Sequence, residues 1–182
     1  MPLTINVPAR NAWDPNIEEF IDFKGAKLLL EHSLISISKW ESKWHVNFIG
    51  NKEINDEKLR SYVQCMTINE KTVDPLAYQF LTNGNMQDIL AYIDDPMTAT
   101  TFSGTKRQSG MGRKITSELV YFWMTAFNIP FECEKWHFNR LYTLIRIADI
   151  ENSPKKRKSN NDIYKANDRL NAARRAAAHS KG

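Results

Sequence analysis

The stretch ECEKWHFNRLYTLI, Glu132 to Ile145, sets a cysteine, two carboxylates and a histidine within six residues. On a helix Cys133 and His137, four apart, share a face, so two chemistries come into view. A metal site would need about two more N, S or O ligands. The remaining candidates, Cys65, His32 and His45, show no ligand-like spacing with this pair. A Cys-His nucleophile would need an orienting group and oxyanion donors, which the sequence does not signal. The reading favoured is the start of a core helix. Glu132 and Glu134 suit its positive N-terminal end, Cys133 is a small core hydrophobe and His137 is a polar or partly buried helix residue. No catalytic, metal-binding or cofactor-binding residue is assigned, and no cofactor is expected.

Three other features could recognise a partner. Trp40 and Trp44 flank Glu41-Ser42-Lys43 at one helical turn's spacing; they form an aromatic anchor if exposed, and core, the favoured reading, if not. The loop TFSGTKRQSGMGRK, with Phe102, Lys106 and Arg107, invites comparison with a phosphate cradle. It lacks the Gly-Lys-Ser/Thr ending of a P-loop and has no clear strand before it, so it reads as a solvated loop able to order on a partner. The third feature is the C-terminal stretch, whose Tyr164, Arg169, Arg174 and Arg175 sit in an Ala-rich helical segment.

Charge separates that stretch from the rest. From Pro154 to Gly182 nine basic residues face two acidic ones, a local charge of +7, whereas the chain as a whole carries +4 and its first 153 residues therefore −3. Such a helix could neutralise phosphates or dock on an acidic protein surface, but with Tyr164 as its single aromatic it does not suggest base stacking. Nucleic acid is the less favoured partner.

The elements that position these residues follow from composition and periodicity. At 182 residues, 42% of them hydrophobic and 25% charged, the chain can bury a core. No run approaches the ~18 apolar residues of a membrane span, and the first residues lack signal-peptide order, so a chain that is intracellular at synthesis is expected. Two cysteines are too few for a disulfide framework, and reduced buried thiols are the default.

EEFIDF and AKLLLEH have strand character and a Lys24-Gly25 turn between them, predicting a hairpin. Ser33 caps a helix over LISISKWESKWH. Leu59, Tyr62, Val63 and Met66 mark a second helix. Asp74-Pro75 opens a third, which Asn83-Gly84 stops before NMQDILAYI begins a fourth. ITSELVYFWMTAF is apolar nearly all round, predicting a central buried helix, and the helix of the opening stretch runs from near Glu132 to about Ile150. The expected fold is mostly α, with an α+β variant carrying a small N-terminal β-hairpin. A helical body spans 1–152, and a basic hinge with a mobile C-terminal helix spans 153–182.

Six segments together carry a family resemblance: LEHSLISISKWESKWH, CMTIN, DDPMTATTF, ITSELVYFWM, IPFECEKWHFNRLYTLI and LNAARR. The chain resembles, from about Glu18 to its C-terminus, small proteins encoded in the tail-gene region of tailed bacteriophages, of the tail assembly chaperone or tail-morphogenesis type. The resemblance implies a non-enzymatic helical protein that binds the tape-measure protein in the host cytoplasm while tail tube subunits polymerise. A homo-oligomer remains open. The alternative it leaves is a structural virion protein, a head-to-tail connector or tail terminator, touching DNA or neighbouring subunits through the basic tail.

Overall fold

The computed structural model describes residues 1–14, 18–51, 54–102, 114–153 and 160–177, and within these not the side chains of 12, 14, 160–163 and 166. The chain divides into two compact units, Met1–Asp149 and Ile150–Gly182. The fold is mostly α with a small β part. Strands β1 (Leu3–Val7), β2 (Arg10–Asp14), β3 (Glu19–Phe23) and β4 (Ala26–Leu30) precede helices α1 (Leu34–Trp44), α2 (Asp56–Met66), α3 (Asn83–Asp94), α4 (Ser117–Ala126), α5 (Phe138–Asn152) and α6 (Asn160–Ala177). Among the described residues no helix is long and apolar enough to cross a membrane.

The two expected strands exist as β3 and β4, but they do not form a hairpin with each other. β4 pairs antiparallel with β1, Leu3 opposite Leu30 and Ile5 opposite Leu28, and β3 pairs with β2, Trp13 opposite Phe20. The reason is burial. Leu28 and Leu30 are fully enclosed, and β1 supplies Ile5 and Val7, equally buried, with the same alternation. Lys24-Gly25 is thus the corner where the chain passes between two ribbons. Gly25 has φ 85°, and a Cβ there would meet the Val7 carbonyl oxygen at 3.0 Å.

α1 begins as expected at Ser33, whose hydroxyl accepts the Ser36 amide while Ser36 Oγ accepts the Ser33 amide at 2.9 Å. It buries Leu34, Ile37, Trp40 and Glu41, and α2 turns Tyr62, Val63 and Met66 to meet them. Three expectations are corrected. Pro75–Tyr78 is a short 3-10 turn rather than an α-helix. Asn83-Gly84 does not stop a helix but lies in the first turn of α3, because Thr82 and Asn85 exchange side-chain-to-amide bonds at 3.1 Å and start the helix before the glycine. α4 is not buried all round: Val120 and Met124 face the core while Phe122 is 64% exposed.

The opening stretch is corrected too. Phe131–Lys135 is a 3-10 turn, and α5 starts only at Phe138. The backbone between them is held extended against the start of α1, where Ser33 and His137 form an isolated bridge and the Phe138 amide donates to the His32 carbonyl at 2.6 Å. Cys133 and His137 therefore do not share an α-helical face.

Candidate functional site

The bridge between residues 32–33 and 137–138 brings together four side chains far apart in sequence. His32 stacks edge-on to His137, with ring centroids 5.0 Å apart. The His32 Nδ1 is hydrogen-bonded to the Tyr62 hydroxyl. His137 Nε2 lies 3.0 Å from the Tyr92 carbonyl oxygen, and its Nδ1 accepts the Asn139 amide at 3.3 Å. A carbonyl can only accept, so the proton of His137 sits on Nε2. The Tyr92 hydroxyl in turn donates to Glu31 at 2.7 Å.

Burial decides the electrostatics of this cluster. It pushes His32 down to about 3, with neighbouring His137 adding to the effect. His137 is also lowered, again chiefly by burial, against the opposing pull of the Tyr92 carbonyl, Glu31 and Asp95. The Tyr62 phenol is raised by the same desolvation. Both imidazoles are therefore neutral near pH 7, and His32 is too weak a base to gather a proton at that pH. Both nitrogens of His137 are taken by backbone groups, which leaves neither for Cys133. The Cys133 thiol is itself raised, mainly by burial and then by Glu132, so it stays protonated and weakly nucleophilic. Among the described residues no three His, Cys, Asp or Glu side chains are grouped to hold a metal ion.

Against the His32 side of this cluster lies a groove of about 660 Å³. Its apolar lining comes from α1 (Ile37), the segment after α1 (Phe48, Ile54), α3 (Leu90, Ile93) and α5 (Phe138). Among the described residues of that lining Asp94 is the one carboxylate, and His32, Asn51, Asn139, Tyr142 and Thr143 are its other polar members. The segment that carries Phe48 is shaped locally. His45 adopts φ 53° and ends α1, its amide reaching the Glu41 carbonyl at 2.8 Å. The Glu41 side chain then accepts the Phe48 amide at 2.7 Å, and Asn51 Nδ2 donates to the Asn47 carbonyl at 3.1 Å. Phe48 stacks on Tyr62 at 3.9 Å between centroids, so wall and histidine cluster share one aromatic layer. The described lining is mainly apolar, the character of a trough that takes the apolar stripe of an amphipathic helix.

The residues singled out from sequence are not gathered here. Trp40 is fully enclosed, its indole donating to the Lys58 carbonyl at 2.8 Å, so it is core and not a contact surface. Trp44 is half-buried between α1 and α2, bonded to Ser61 at 3.1 Å with the Lys58 ammonium 5.5 Å from its ring; it belongs to the same helix interface. Phe102 is half-buried with the Arg146 guanidinium 3.9 Å from its ring centroid. Lys106 and Arg107 lie outside the described residues. In the second unit Tyr164 is 68% exposed, and Lys165, Arg169, Arg174 and Arg175 are exposed on α6.

Sequence reasoning missed the groove and weighed His32 only as a metal ligand. The signals present were weak: Phe48-Ile49 directly after a helix, and Leu90 on the outer side of a helix whose buried residues are Met86, Ile89 and Tyr92. Comparison with family models, curated proteins and solved structures finds no match to this chain.

Proposed function

We propose that the chain is a non-enzymatic tail assembly chaperone of a tailed bacteriophage, which holds the tape-measure protein, or another tail protein, in the host cytoplasm during morphogenesis. One observation carries the reading: three of the six segments on which the family resemblance rests supply part of the lining of the groove. LEHSLISISKWESKWH contributes His32 and Ile37, DDPMTATTF contributes Asp94 and Pro96, and IPFECEKWHFNRLYTLI contributes Phe138, Asn139 and Tyr142. A long amphipathic helix with its apolar stripe uncovered aggregates, and an apolar trough is what can cover it transiently.

The test is co-expression of the tape-measure protein of the same phage with the wild-type chain or with Leu90→Glu. Leu90 is 43% exposed, so a carboxylate there alters the groove with little strain on the fold. Wild type is expected to keep the tape-measure protein in solution and L90E to let it aggregate. Equal behaviour of the two, or no effect of either, overturns the reading.

A second reading has one observation in its favour. The exposed cations of α6 suit a structural virion protein, a connector or terminator that touches DNA, with binding that falls steeply as salt rises. Mass spectrometry of purified virions against infected-cell lysate separates the two. Presence in lysate and absence from particles supports the chaperone; a fixed copy number in particles supports the structural subunit.

A further inference from the structure

We propose that the groove selects a cationic helix: Asp94 takes a lysine or arginine that stands beside the apolar stripe of the helix seated there. The inference rests on the reading of the groove as a seat for an amphipathic helix and adds the charge that this helix must carry. α3 ends in two adjacent carboxylates, Asp94 and Asp95, and has no basic residue in its last turn. The last carbonyls of a helix hold partial negative charge, so acids at that end oppose the helix rather than support it. Asp95 is accounted for locally, since its Oδ1 accepts the Met97 amide at 2.7 Å and shapes the turn in which Met97 has φ 49°. Asp94 has no such task. It is exposed, and among the described residues no hydrogen bond or ion pair holds its carboxylate.

The described surroundings supply no countercharge. α3 contains no lysine or arginine. On α5, Arg140 lies 4.4 Å from the Trp136 ring centroid and Arg146 lies 3.9 Å from that of Phe102. His32 lines the groove, but burial keeps it neutral near pH 7. Asn139 meets the end of α3 as a neutral donor, its Nδ2 giving to the Ile93 carbonyl at 2.8 Å and the Asp95 carbonyl at 2.7 Å. Carbonyls are satisfied in this way and the negative charge of Asp94 is left whole.

That charge lies in the same lining as Leu90, Ile93 and Phe138. Lysine and arginine suit such a place, because their methylene stems pack along apolar surface while the charged head reaches a carboxylate. A helix with acidic residues beside its stripe would meet Asp94 as a like charge, next to apolar walls that screen it less than water does. The chain as a whole works the other way. Its net charge is +4 and α6 exposes Lys165, Arg169, Arg174 and Arg175, so overall attraction favours acidic partners. A preference for a cationic helix therefore reports the groove and not the whole molecule.

The test uses two synthetic helical peptides of about 20 residues with one and the same leucine stripe, flanked by lysine in one and by glutamate in the other. Fluorescence anisotropy with the full wild-type chain is expected to show the lysine peptide bound about fivefold more tightly. Asp94→Asn should bring the two affinities together and Asp94→Lys should invert their order. Both variants should unfold at the wild-type temperature or above it, because each removes an acid from the negative end of α3. Leu90→Glu should weaken both peptides, which places them in the groove. Peptides that bind equally to wild type, yet are lost with L90E, overturn the charge selection and leave the helix-binding groove standing. Tighter binding of the glutamate peptide, or a lysine preference that survives in D94N and D94K, also overturns the selection. Binding of neither peptide overturns it together with the reading of the groove on which it rests.

Discussion

The side chain of Glu41 joins two amides that lie 69 residues apart: Oε1 accepts from Phe48 and Oε2 from Ser117, each at 2.7 Å. The first bond anchors the groove wall. The second meets an orphan amide in the first turn of α4, whose own N-cap, Thr116, makes no side-chain cap bond. One buried residue of α1 thus does the work of a loop anchor and of a helix cap.

Glu41→Ala is expected to cost about 2–4 kcal/mol, since two buried amides lose their acceptor, and Glu41→Gln about half of that, since one oxygen remains. Chemical denaturation gives the magnitude. Amide hydrogen exchange gives the location, with protection lost at Phe48 and Ser117. An alanine variant as stable as wild type would contradict the shared-anchor account.

Stability should fall in acid through the histidine cluster. The folded His32 sits at about 3 against an ordinary 6.5, so between those values the unfolded chain binds a proton that the folded chain excludes. Protons then favour unfolding: the loss is absent above about pH 6.5 and grows by about 1.4 kcal/mol per pH unit below it, with His137 adding in the same direction. His32→Asn keeps a polar partner for Tyr62 but removes this titration. Urea unfolding between pH 7 and pH 4 should show a shallower acid slope for H32N than for wild type; equal slopes would refute the assignment.

The two tryptophans should separate cleanly. Trp40→Ala removes a fully enclosed indole and its hydrogen bond and should cost about 3–5 kcal/mol. Trp44→Ala, half-buried, should cost clearly less. Under the chaperone reading neither is expected to alter tape-measure binding in a variant that still folds, which solubility of the co-expressed partner would check.

The cations of α6 should matter for binding and not for the fold of the first unit. Replacing Arg169, Arg174 and Arg175 with alanine should leave the unfolding free energy of Met1–Asp149 within about 0.5 kcal/mol of wild type. Under the structural-virion reading the same variant loses affinity for duplex DNA and shows a flatter salt dependence. A large drop in melting temperature would contradict treating this helix as a separate unit.

What the sequence by itself determined was local. Ser33 as a cap, the inward face of α2, the α-rich class and the strand character of β3 and β4 follow from residue types and spacing, because caps and periodicity act within a few residues. β1 carried a legible signal that the reading passed over, Leu3, Ile5 and Val7 alternating with polar residues, and only its pairing with β4 needed the tertiary structure. Tertiary structure alone decided the rest. The Ser33–His137 bridge held Trp136 and His137 extended and so moved the start of α5 from Glu132 to Phe138. The same bridge drew together His32, Tyr62, Tyr92 and His137, residues whose desolvation and hydrogen bonds depend on partners 30 to 61 residues away. Burial that joins distant segments has no periodicity to announce it, which is why Cys133 and His137 looked like a pair in the chain and are none in the fold.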